Sequence, residues 1–128
     1  MPVFFVCAGL LGLLAAILTI NIARLRGKKK INLGDGSDPE MLAAIRAHAN
    51  LIEFAPLCLL LIYIASDFYG FRTVAALSVV LLLARVLHAG GMLGIIPMGR
   101  FLGASGTTLV LLASSVLAVL AGLSLKQF

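Results

Sequence analysis

Residues 46–65 read RAHANLIEFAPLCLLLIYIA, and the uninterrupted apolar part, Phe54 to Ala65, is too short to cross a bilayer. Crossing takes about 20 apolar residues. The segment can span only by drawing Glu53 in with it, and Asn50 and Arg46 lie below Glu53 on the same helix. A charge in hydrocarbon is costly and persists where it pairs, lines a cavity or does chemistry. The same arithmetic holds downstream, where Val74 to Ala84 becomes long enough only by taking in Arg85 and then His88. Working outward on this basis, four apolar segments emerge, with helices predicted at about residues 3–23, 40–66, 72–89 and 101–125. They use nearly the whole chain. The expected fold is all-α, an integral membrane four-helix bundle forming one domain over residues 1–128.

Composition agrees: 62% of the residues are hydrophobic and 12% charged, far from the profile of a water-soluble domain. The first segment has no basic residue before it and no clear small-x-small cleavage site, so it is read as a spanning helix and not a secretory signal. Arg24, Arg26, Lys28, Lys29 and Lys30 follow it. By the positive-inside rule this first loop is expected to face the cytoplasm, with both chain ends outside. The basic run reads as a topology signal with attraction to anionic lipid, not as a nucleic-acid site. Cys7 and Cys58 lack CxxC or metal-ligand spacing and read as small packing residues.

The stretch Gly34-Asp35-Gly36-Ser37-Asp38-Pro39-Glu40 reads as a turn followed by a cap, with Asp38 capping helix two and Pro39 in its first position. It holds too few oxygen ligands for a calcium loop. Pro56 should kink helix two. Gly90 to Gly99 reads as a tight cytoplasmic connection, which leaves its glycines in a loop. Helix four, with Gly103, Ser105, Gly106, Ala113, Ser114 and Ser115, is rich in the small residues that let membrane helices approach closely.

This topology assigns a depth to every intramembrane charge, and all of them fall in the cytoplasmic leaflet. Arg24 and Arg26 end helix one, Arg46, Asn50 and Glu53 open helix two, Arg85 and His88 end helix three, and Arg100 opens helix four. Arg46, Asn50 and Glu53, at i, i+4 and i+7, form one stripe about 10 Å long. Arg85 and His88, at i and i+3, share a face. One carboxylate against several guanidiniums leaves an excess of positive charge that an anionic ligand would balance. The alternatives are structural: Glu53 neutralising Arg85 with Asn50 as interhelical glue, Arg46 and Arg100 snorkelling to headgroups, and His88 as an interfacial histidine.

The run Arg46-Ala47-His48-Ala49-Asn50-Leu51-Ile52-Glu53-Phe54-Ala55-Pro56 resembles the R-x-x-x-N-x-x-E-x-x-P signature of helix two in the MAPEG family, the membrane-associated proteins in eicosanoid and glutathione metabolism. Leu33-Gly34-Asp35-Gly36, Ala84-Arg85-Val86-Leu87-His88 and Gly99-Arg100 resemble the small bacterial branch of that family in order and spacing. The resemblance implies a left-handed bundle that assembles as a homotrimer, with glutathione held between subunits in the cytoplasmic leaflet. By carry-over Arg46, Asn50 and Glu53 would hold glutathione, Glu53 through its amino group and the arginines through its carboxylates. Arg24 or Arg26 would match the basic residue ending helix one, and Arg85 and His88 complete the candidate binding set. Arg100 resembles the arginine facing the glutathione sulfur and is the candidate catalytic residue. The implied activity is a glutathione transferase or glutathione-dependent peroxidase acting on hydrophobic electrophiles in a detoxifying role. Where the eicosanoid enzymes have tyrosines, this chain has His88, Met92 and Phe54. Two other classes remain open: a non-catalytic lipid-binding or scaffold member of the fold, and a small proton-coupled exporter using Glu53.

Overall fold

The computed structural model describes residues 1–125 and contains four helices: α1 (Pro2–Lys29), α2 (Pro39–Ala65), α3 (Phe71–Met92) and α4 (Gly99–Leu125). All four are long and apolar enough to cross a membrane. The chain is an integral membrane four-helix bundle. Among the described residues α2 and α3 touch each other and both remaining helices, whereas α1 and α4 do not meet. In section the bundle is a rhombus with α2 and α3 on its short diagonal.

The core runs along that diagonal through Leu11 and Leu18 of α1, Leu51, Cys58 and Ile62 of α2, Leu81 of α3 and Val110 of α4. Large apolar side chains such as Phe5, Leu13, Ile20, Leu109 and Val116 point outward instead, as expected where the surrounding solvent is lipid. Two buried serines satisfy themselves within their own helices, Ser78 Oγ donating to Val74 O at 2.7 Å and Ser114 Oγ to Val110 O at 2.7 Å.

Two boundaries differ from the sequence expectation. The first helix does not stop at residue 23 but runs about two turns further, to Lys29, with Lys30 in the left-handed conformation (φ 55°) donating its N–H to Arg26 O. Arginine, lysine and leucine are good helix formers, and cations at a helix C-terminus complement its dipole. The basic run therefore belongs mostly to the helix. Lys29 Nζ reaches Asp38 Oδ2 at 2.7 Å and Glu40 Oε2 at 2.7 Å, tying the end of α1 to the start of α2. Asp38 Oδ1 accepts the Met41 N–H at 2.8 Å and caps α2, with Pro39 in the first turn.

The third helix likewise continues to Met92, so Gly90 and Gly91 are helical and not part of a loop. The physical reason lies in their packing. A Cβ on Gly91 would run into the Arg100 backbone, one on Gly99 into the Leu87 carbonyl, and one on Gly103 into the backbone of Ala84 and His88. These three glycines let α3 and α4 meet backbone to backbone. The contact seats the start of α4, and with it Arg100, against the last turn of α3.

Candidate functional site

The basic end of the bundle is built from the C-termini of α1 and α3 and the N-termini of α2 and α4. On α2, Arg46 and Glu53 are half-exposed, and Arg46 Nη1 lies 3.6 Å from Glu53 Oε1. An ion pair that open is weak by itself. Asn50, on the turn between them, faces inward and accepts a 2.7 Å hydrogen bond on Oδ1 from Arg85 Nη2. Glu53 therefore pairs with Arg46, and the alternative Glu53–Arg85 pair is not formed.

Arg85 is 1% exposed and is the largest fully buried side chain of the described residues. Its Nη1 donates to Thr107 Oγ1 at 3.2 Å, and Thr107 Oγ1 donates in turn to Gly103 O at 2.8 Å. Both contacts are to neutral groups. Arg85 Nε and His88 Nδ1 are buried without a hydrogen-bond partner among the described residues. His88 sits where Gly103 presses α4 onto α3. Thr107 is the residue that sequence reading missed. The available signal was its position four residues after Gly103 and seven after Arg100, one and two turns along the face of α4 that meets α3.

Several hollows open at this end, one of them of about 340 Å³ beside Arg26, Gly27 and Lys30. A cleft of about 380 Å³ among α2, α3 and α4 is lined by Leu42, Arg46, Gly91, Met92 and Arg100, so Arg46 and Arg100 share a wall. A cavity of about 80 Å³ is lined by Asn50, Phe54, Arg85, Ala104, Thr107 and Thr108. On the α1 side, a cleft of about 490 Å³ carries Arg24 with Asn21, Glu40 and Ile95. The two larger clefts have Pro39, Ala43 and Met92 in common. The contact between α2 and α3 thus forms a ridge, with Arg24 on one side and Arg46 and Arg100 on the other.

The two arginines at the end of α1 have different surroundings. Arg26 Nη1 donates to Ile31 O at 3.3 Å and Gly34 O at 3.1 Å, stapling the first loop. Arg24 faces its cleft and donates only to Asn21 Oδ1, at 3.1 Å. Each of the two lines a hollow, and Arg26 in addition holds the first loop.

Chemically the end of the bundle offers fixed guanidiniums, an amide and one carboxylate. Guanidinium suits carboxylates because its planar fork can donate two parallel bonds. Glu53 suits an ammonium. No group of three or more metal-ligand side chains occurs among the described residues.

The chain is similar to known proteins. The chain is 33% identical over 86 residues to the inner membrane protein YecN of Escherichia coli K12 and, to the same degree, to that of Escherichia coli O6:H1. The similarity covers 66% of this chain and 65% of each relative, so it spans slightly under two thirds of their length. The family model of the MAPEG family matches residues 4–120, a range that takes in the signature on α2, the Arg85 motif on α3 and Arg100 on α4. The chain belongs to the MAPEG family.

Proposed function

We propose that this protein is a glutathione transferase or glutathione-dependent peroxidase of the bacterial inner membrane, acting on hydrophobic electrophiles from a homotrimer. The observation that carries the reading is the meeting of Arg46 and Arg100 in one cleft, with Glu53 and Asn50 on the adjoining turns of α2. The donor set fits the tripeptide: two carboxylates for the arginines and one amino group for Glu53. Arg85, whose buried Nε has no partner among the described residues, lines the small cavity one turn further along α2 with Asn50.

Arg24 stands across the ridge from Arg46 and Arg100. Glutathione lodged between subunits would take its further cation from a neighbour's α1, so a trimer supplies what one chain does not. The basic end, on this reading, faces the cytoplasm, where the tripeptide is available. Glutathione supplies the sulfur nucleophile when bound. Arg100 provides a permanent positive charge that favours the thiolate over a thiol whose ordinary pKa is about 8.5. Phe54, Ala104 and the outward leucines of α2 and α4 present an apolar wall to an acceptor arriving from the lipid.

Isothermal titration of glutathione into the detergent-solubilised protein tests the reading. Binding is expected in the wild type and lost in Arg46→Ala and Glu53→Gln. A wild type that binds no glutathione, or variants that bind it as well as the wild type, would overturn it. Binding without turnover of any electrophile or hydroperoxide would leave a non-catalytic member of the family.

A further inference from the structure

The contacts of Arg85 constrain a neighbour that lines the site. Arginine has no acceptor: all five of its N–H groups donate. Asn50 must therefore turn its carbonyl oxygen toward Arg85, as the 2.7 Å contact shows. Swapping oxygen and nitrogen in that amide would set an NH2 group against a guanidinium, so the orientation follows from donor chemistry and not from fine placement. What remains on Asn50 is Nδ2, a donor on a side chain that lines the small cavity.

The other end of Arg85 is fixed just as strictly. Thr107 is 2% exposed, and its hydroxyl hydrogen goes to Gly103 O, leaving Oγ1 to accept from Arg85 Nη1. Gly103 is in turn held by the backbone contact between α3 and α4. The bonds diverge from Arg85: its guanidinium donates on one side to the Asn50 carbonyl and on the other to the Thr107 hydroxyl, which donates in turn to Gly103 O, and none of the three can reverse.

We infer that Thr107 and Arg85 are positioning residues that fix Asn50 as a hydrogen-bond donor toward the ligand, so the group Asn50 receives is an acceptor oxygen of a carbonyl or carboxylate. This rests on the glutathione reading, because glutathione is the probe. It accounts for a fully buried cation whose partners among the described residues are neutral. It also assigns Thr107 a role that helix packing alone does not require.

Glutathione titration and thermal unfolding of four variants test it. Asn50→Asp keeps the size and the acceptor facing Arg85 but removes the donor; glutathione affinity is expected to fall about tenfold or more, with Tm at or above the wild-type value. Thr107→Val is expected to weaken binding about tenfold, and Thr107→Ser to restore it. The double variant Thr107→Val with Asn50→Ala is expected to bind no worse than Asn50→Ala alone, because both act through one side chain. Wild-type affinity in Asn50→Asp or in Thr107→Val would overturn the inference, as would losses that multiply in the double variant. If Thr107→Val fails to fold, Asn50→Asp decides. A wild type that binds no glutathione counts instead against the functional reading, and the two failures are thereby distinguished.

Discussion

Arg100 opens α4 in the same cleft as Arg46, and on the proposed reading its task is the sulfur and not a carboxylate. It makes none of the side-chain hydrogen bonds that hold Arg85 and Arg26 in place. Arg100→Ala is therefore expected to slow conjugation by about tenfold or more at neutral pH while glutathione binding changes little, because the loss falls on thiolate stabilisation. The rate deficit should narrow as pH rises toward the ordinary thiol range, which a pH–rate profile of both proteins will show. An unchanged rate at neutral pH would remove Arg100 from the chemistry. Asp38 is a second residue with a measurable role. The Lys29 ammonium, and after it the Met41 N–H, hold its carboxyl below the usual carboxylate range. A carboxyl whose folded value lies below its unfolded one contributes stability that is complete above the unfolded value and lost as pH falls through the folded one. Asp38→Ala is thus expected to lower Tm by a few degrees near neutrality. The difference should shrink below about pH 4, and a difference independent of pH would show that the charge is not involved.

At the scale of elements, the backbone contact between α3 and α4 decides where the polar side chains meet. Gly103→Ala would drive a methyl group into the backbone of Ala84 and His88, an overpacking expected to cost about 3 kcal/mol. Gly122→Ala meets nothing within 4 Å and serves as the control; alanine is also the better helix former there, so its stability should hold or rise slightly. Thermal unfolding of both in one detergent makes the comparison, and equal melting would contradict the close packing. The same contact explains what could be read in advance. Four spans, the depth of Glu53 and Arg85, and the gathering of cations at one end follow from the length of apolar runs and the place of the basic cluster, both one-dimensional properties. Which acid or amide faces Arg85 depends on the rotation of α3 against α2 and α4. That rotation is set by Gly91, Gly99 and Gly103, which in the linear sequence look like the punctuation of a loop. Thr107 was invisible for the same reason, being one of several small hydroxyl residues on α4 until the helices are brought together. The end of α1 lies beyond the apolar run because its basic residues are themselves compatible with helix.

For the whole molecule, the arrangement requires that Arg24, Arg46, Arg85 and Arg100 approach one side of the membrane. Single cysteines placed at Gly34 in the first loop and at Phe68 in the second, in a background with Cys7 and Cys58 replaced by alanine, report this directly. In sealed inside-out vesicles Gly34→Cys is expected to react with an impermeant maleimide and Phe68→Cys to react only after permeabilisation. The opposite pattern would place the site away from cytoplasmic glutathione. Length has a further consequence. With 22 residues α3 is the shortest of the four helices, reaching about 33 Å, little more than the roughly 30 Å hydrocarbon core of an ordinary bilayer. α1, with 28 residues, has turns to spare. A membrane a few ångströms thicker must therefore thin itself locally around α3, at the edge that leads to Arg85, His88 and the turn before Arg100. Acyl-chain length in the host lipid thus becomes a setting on how far the basic end of the bundle stands open to water.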